Sequence, residues 1–237
     1  MKHLSKPSSL WEDWVHVFCA DVSLFSDHVD GFFGMLSENE QTKAGRFRYP
    51  KHRDNFIISR GLLRVILGHY SGSEPEELRF YHGPHGKPML DGEYGQGHVH
   101  FSVSHSDQLV LYAIARGQEI GVDVERIRHD FLHEPITEKY FSPREAAFIR
   151  NSPSDVRNDV FFSCWTLKEA FIKATGRGFY LPLNQFEVAL DPPQLVSIQG
   201  DSEAASRWFL HSLYPGAGYA AALAVECRHL QLKYWKL

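Results

Sequence analysis

Apolar residues in the stretch 161–180, FFSCWTLKEAFIKATGRGFY, fall at Phe161, Trp165, Leu167, Phe171 and Ile172, the recurrence of a helix that faces a core. Gly176 and Gly178 close the pattern, as glycines do at helix ends. Glu169 and Lys173 are four residues apart and share one face, next to Lys168. Taken alone, such a pair is an exposed ion pair worth about 0.2–0.5 kcal/mol to a helix.

A different period marks 119–127, EIGVDVERI. Its alternation predicts a strand with Val122 and Val124 on one side and Asp123 and Glu125 on the other. Two carboxylates side by side repel, and a strand gains nothing by pairing them. A solvated face relieves that conflict, and so does a hard cation such as magnesium.

Before these stretches, residues 14–22 alternate like a strand, and Ser37 with Glu40 forms a capping box that opens a helix. A second helix is predicted near Phe56–His69, followed by a break at 71–75. An extended segment over 79–90 carries Gly86-Lys87-Pro88, and a loop with Gly92, Gly95 and Gly97 leads to a hairpin, Val99–Val103 with Leu109–Ala115. The second half repeats this order. Asp123 answers Asp21, the box Ser142–Glu145 answers Ser37–Glu40, and Trp165–Thr175 answers Ser59–His69. Tyr180–Leu183 stands for the Lys87-Pro88 segment, and a final hairpin runs through Trp208–Tyr214 and Tyr219–Val225. A nearly constant offset across ordered elements points to an internal duplication. In this register Lys168 and Glu169 face Leu62 and Leu63 of the first half, and Glu125 faces Ser23, so the acidic chemistry survives in one half only. The expectation is an α+β fold of two pseudo-symmetric lobes, 1–117 and 118–237, each a small, mostly antiparallel sheet packed with helices, with one active site at the seam.

The 237 residues suit one large domain or two small ones. A formal net charge of −4 gives no reason to expect nucleic-acid binding. Cys19, Cys164 and Cys227 each sit in an apolar run, so buried thiols are expected rather than disulfides or zinc ligands. No apolar run approaches the length of a membrane span, and the N-terminus lacks the apolar core of a secretory signal. A cytoplasmic protein with no membrane partner is expected.

Gly121-Val122-Asp123-Val124-Glu125 followed by Trp165-Thr166-Leu167-Lys168-Glu169-Ala170-Phe171-Ile172-Lys173 resembles the paired signature of the 4'-phosphopantetheinyl transferases, in the longer, single-chain Sfp-type branch. Phe101-Ser102-Val103-Ser104-His105-Ser106 and Gly86-Lys87-Pro88 extend the resemblance, which runs roughly from residue 37 to 190.

The resemblance implies transfer of 4'-phosphopantetheine from coenzyme A to a serine of an apo acyl or peptidyl carrier protein, with magnesium required, manganese able to replace it, and 3',5'-ADP released. It implies Asp123, Glu125 and Glu169 as metal ligands. Glu169 is also the candidate base, and Lys168 and Lys173 are candidates for phosphate oxygens and the leaving group. Arg53 and Lys87, with Lys43 behind them, match the family's phosphate contacts, and Ser104 and His105 its contacts to the 3'-phosphate. Two positions depart from the pattern: Glu40 replaces a frequent lysine, and Phe56 a small polar residue; Arg53 or Arg60 can compensate. A monomer is expected, because the duplication already supplies both halves. The alternatives are a magnesium-dependent phosphohydrolase that uses the same carboxylates, and a non-catalytic module that binds carrier proteins.

Overall fold

The computed structural model describes residues 14–91, 99–227 and 230–237. The expected glycine loop at 92–97 lies outside the described residues. The chain opens with β1 (Trp14–Asp21), a 3-10 turn at Val22–His28, α1 (Val29–Met35), α2 (Glu38–Gly45) and α3 (Pro50–Ser71). A short hairpin, β2 (Phe80–His82) with β3 (Pro88–Leu90), precedes the long hairpin β4 (Val99–Ser106) and β5 (Leu109–Arg116). The second half runs β6 (Ile120–Arg126), α4 (Glu134–Tyr140), α5 (Pro143–Asn151) and α6 (Arg157–Thr175). It closes with the hairpin β7 (Phe186–Leu190) and β8 (Pro193–Ile198), α7 (Ser202–Ala205), β9 (Phe209–Leu213), β10 (Tyr219–Val225) and β11 (Gln231–Lys236).

The duplication is visible in the sheets. One has the order β11-β1-β5-β4 and the other β6-β10-β9, so β1-β5-β4 and β6-β10-β9 are the same antiparallel unit used twice. The last strand is the exception. β11 runs parallel to β1 and extends the first lobe's sheet, so a division at 117/118 leaves one C-terminal strand on the wrong side.

The period of two sorts each strand into two cores. Phe18 and Ala20 of β1, with Val110, Tyr112 and Ile114 of β5, meet Ile58, Leu62 and Ile66 of α3. Val15, Val17 and Cys19 point the other way, where they join Leu111, Ala113, Val122, Val124, Leu223 and Val225 in a core shared by the two sheets. On the far side of the second sheet, Ala220, Ala222 and Ala224 receive Leu167, Ala170, Phe171 and Ala174 of α6. The order is therefore helix, sheet, sheet, helix, with β1 buried on both faces.

Both capping boxes form, Ser37 with Glu40 and Ser142 with Glu145. Each box glutamate is also the target of a buried cation from the long helix behind it. Arg64, 1% exposed, donates to Glu40 Oε2 at 2.7–2.8 Å, and Arg60 holds Oε1. Burial alone would raise the pKa of Glu40, but Arg60, the Ser37 amide and Arg64 together bring it below the usual carboxylate range. In the second lobe Lys168, fully buried, donates to both Glu145 oxygens at 2.8 Å and to Phe186 O at 2.7 Å. The two helices end alike, on left-handed Gly72 and Gly176. These matches correct the register expected from the sequence. Lys168 pairs with Arg64 rather than Leu62, which places Val65 opposite Glu169 and His69 opposite Lys173. The first lobe still carries no acid there.

Candidate active site

The site is assembled where β6 meets α6. On β6, Val122 and Val124 are drawn into the inter-sheet core, which turns Asp123 and Glu125 toward α6 and β4. On α6, Glu169 and Lys173 lie on the face turned to that pair. Gly121 sets the distance between helix and strand. A Cβ there would collide with the Ala170 carbonyl and the Ala174 amide and would sit 2.9 Å from Ala174 Cα. Only a missing side chain lets the helix backbone lie so close. We expect Gly121→Ala to cost about 1–3 kcal/mol through overpacking. It should also lower kcat by about a hundredfold for a helix displacement of about 1 Å. Steady-state kinetics beside a thermal melt check this; wild-type values of both would show that the close approach does not matter.

Asp123 is 3% exposed, so of the two ways to relieve the repulsion the solvated strand face is not the one that forms there. Its Oδ1 accepts from Lys173 Nζ at 2.7 Å and from Ser104 Oγ at 2.8 Å. Its Oδ2 is buried and has no hydrogen-bond partner. Glu125 accepts from Ser106 Oγ at 3.0 Å. Burial, and then the charge of Asp123, hold the Glu125 carboxyl above its ordinary pKa. The Glu169 carboxyl is raised as well, by burial and then by Asp123, with Lys173 opposing. Two acids whose ionised forms are disfavoured beside a third carboxylate that has a buried oxygen left over make a site short of positive charge.

Among the described residues no group of His, Cys, Asp or Glu side chains is already gathered as a metal cage. Magnesium does not require one. It is usually held by one or two carboxylates, waters and the phosphates of the substrate. The hard oxygen donors of Asp123, Glu125 and Glu169, and the unpartnered Asp123 Oδ2 above all, fit that ion.

Two cavities flank this point. The first, about 270 Å³, lies on the seam and is lined from the first lobe by Arg60, Gly86, Lys87 and Phe101 and from the second by Ile172 and Lys173, among others. The second, about 460 Å³, has Glu169 at its edge and is otherwise mostly apolar, with Tyr140, Ile172, Leu181, Pro182 and Leu183. Ile172 is common to both, so Lys173 faces one cavity and Glu169 the other.

The structure brings together Asp123, Glu125, Glu169, Lys173 and Ser104, and it reassigns three expected residues. Lys168 is no phosphate ligand. It projects into the second lobe's core, where burial pulls its ammonium below the usual range against the opposing pull of Glu145. Ser104 is 6% exposed, and its hydroxyl is committed to Asp123, Lys173 and the Val124 amide. Lys87 lines the first cavity, but its amine donates to Glu119 at 2.6 Å, Ala174 O at 2.8 Å and Ile120 O at 3.2 Å. Those bonds use all of its donors on a clamp between the lobes. Glu119 feels that clamp: its contact with His100, burial working the other way, and then Lys87 leave its pKa lowered to about 2. His105 keeps an exposed edge near Lys173, but partial desolvation of its ring, and then that cation, lower its pKa and favour the neutral form. Arg53 is exposed and paired with Asp54, and exposed Lys43 lies over the Phe56 ring; neither lines the seam cavity. Ser102, Ser106 and Gly121 stood in the quoted motifs but were given no role from the sequence, although Ser-x-Ser-x-Ser has the strand period.

The chain resembles known proteins over nearly its whole length. A family described as 4'-phosphopantetheinyl transferase superfamily matches residues 119–224, and one described as 4'-phosphopantetheinyl transferase, N-terminal, matches residues 26–116. The 4'-phosphopantetheinyl transferase HetI of Nostoc sp. is 35% identical over 98% of this chain and 97% of its own. The 4'-phosphopantetheinyl transferase Sfp of Bacillus subtilis is 28% identical over 76% and 77%. Among solved structures, Thermotoga maritima holo-[acyl-carrier-protein] synthase aligns with a TM-score of 0.37 and 22% identity, over 47% of this chain and 64% of that one.

Proposed function

The chain belongs to the 4'-phosphopantetheinyl transferase superfamily, with that transferase activity, and from this premise we propose that it takes the group from coenzyme A, with magnesium, and releases 3',5'-ADP. The acceptor is the serine of an apo acyl or peptidyl carrier protein. The observation that carries this reading is the acidic set at the seam, with the buried Asp123 Oδ2 unpartnered and Lys173 beside it.

Asp123, Glu125 and Glu169 would hold the magnesium ion, which offsets charge on a diphosphate when bound. Lys173 keeps one N–H beyond its bonds to Ser104 and Asp123, and it faces the seam cavity. It binds a phosphate oxygen there and steadies the departing 3',5'-ADP. Glu169 stands on the side of the second cavity, where the carrier serine approaches. Its raised pKa brings it nearer the operating pH, as a general base requires. It accepts the serine proton, directly or through a water, while the serine oxygen bonds to the phosphorus and the diphosphate P–O bond breaks. Neutral His105 can donate one N–H to the 3'-phosphate, and Arg53 and Lys43 add charge outside the cavity.

The phosphohydrolase alternative uses the same acids, so the test counts 3',5'-ADP. Coenzyme A with magnesium should yield none until an apo carrier protein is added, and a chelator should stop the release. Release without a carrier protein would mark a hydrolase.

A further inference from the structure

The two sheets meet at β4 and β6 without a shared backbone ladder. Serine side chains take its place, at the strand's own period of two. Ser102 Oγ accepts from the Val122 amide at 3.1 Å, Ser104 Oγ from Val124 at 3.3 Å and Ser106 Oγ from Arg126 at 3.0 Å. A hydroxyl that accepts still has a proton to place. Ser104 gives it to Asp123 Oδ1 at 2.8 Å and Ser106 to Glu125 Oε2 at 3.0 Å, in each case the acid just before the amide it accepts from. Ser102 has no such acid, because the residue before Val122 is Gly121.

We propose that Ser104 and Ser106 are positioning residues: from the first lobe they pin one oxygen of each β6 carboxylate, so that the other oxygens of Asp123 and Glu125 are presented to the metal before it arrives. Ser104 also accepts from Lys173 Nζ at 2.8 Å, which places the cation and the acid on one fixed point. The first lobe thus contributes to the acidic centre through hydroxyls rather than charges. Packing of the two lobes against each other and order of the metal ligands are thereby linked. The proposal rests on the reading of this centre as a magnesium site.

Ser102 provides the internal control, since it makes the same rung with no acid attached. The experiment titrates Mn2+ into protein saturated with coenzyme A, without a carrier protein, by calorimetry, and compares melts of the metal-free proteins. Groups that orient metal ligands typically contribute about 10–100-fold in metal affinity. Ser104→Ala should therefore weaken the Mn2+ dissociation constant at least about tenfold. Ser106→Ala should weaken it in the same direction, and Ser104→Thr, which keeps the hydroxyl, should recover most of the loss. Ser102→Ala should lower the melting temperature like the others and leave the metal constant at the wild-type value. Equal constants for Ser104→Ala and Ser102→Ala would overturn the proposal. If Ser104→Ala does not fold, the more exposed Ser106→Ala decides by the same comparison. A wild-type protein that takes up no Mn2+ would instead overturn the magnesium reading, and the proposal with it.

Discussion

Replacing Glu169 by glutamine should reduce phosphopantetheine transfer by at least about a hundredfold and leave the protein folded. The change keeps side-chain size and, closely, helix propensity. Loss of a general base typically costs about a hundred- to ten-thousand-fold in rate. The melting temperature of the metal-free variant should not fall, and the sign follows from the pKa. Glu169 is held above its ordinary value, so its ionised form is disfavoured in the folded state. That penalty grows as pH rises from the unfolded value through the raised folded one, and it is fully present only above the folded value. Glutamine removes it, and with it the repulsion from Asp123 and Glu125. A transfer assay and a calorimetric melt at neutral pH check the two halves. Near-normal transfer would remove Glu169 from the roles of base and metal ligand.

One residue earlier on the same helix the outcome reverses. Lys168→Met should destabilise the fold by about 3–5 kcal/mol, because it strands the Glu145 carboxylate in the core. Glu145 is 4% exposed and also accepts from the Ser142 and Val188 amides, and loss of the lysine takes a partner from both its oxygens and from Phe186 O of β7. Against a typical total of about 5–15 kcal/mol, that is a large part of the stability. Chemical denaturation measures it. The double variant Lys168→Met/Glu145→Gln should regain part of the loss, since the unpaired charge is gone. A Lys168→Met protein of wild-type stability with a raised KM for coenzyme A would return Lys168 to the phosphates.

This contrast shows where the sequence could be read and where it could not. Helical periodicity placed α6, its glycine stop and the shared face of Glu169 and Lys173, all of which depend on neighbours within a turn or two. It could not place Lys168. Successive helix positions diverge by about 100°, and the partner that claims this lysine lies 23 residues away in sequence. The alternation of Asp123 and Glu125 was legible, but the burial of Asp123 was not, because α6 packs over β6 only where Gly121 permits. Both capping boxes announced themselves through local spacing. Lys87 looked like a free cation beside a turn, yet its acceptors, Glu119, Ile120 and Ala174, come from the other lobe. β11 escaped notice for a related reason. A parallel partner of β1 has no hairpin turn to mark it, and its residues 231–236 are only half buried at best.

The most direct test of the account is the intact mass of an apo carrier protein after incubation with this enzyme, coenzyme A and magnesium, run in parallel with Asp123→Asn. The account predicts that wild type shifts the carrier by the mass of one phosphopantetheine group, that a chelator prevents the shift, and that Asp123→Asn leaves the carrier unmodified while remaining folded. A carrier modified equally well by Asp123→Asn, or by wild type without divalent metal, would contradict it.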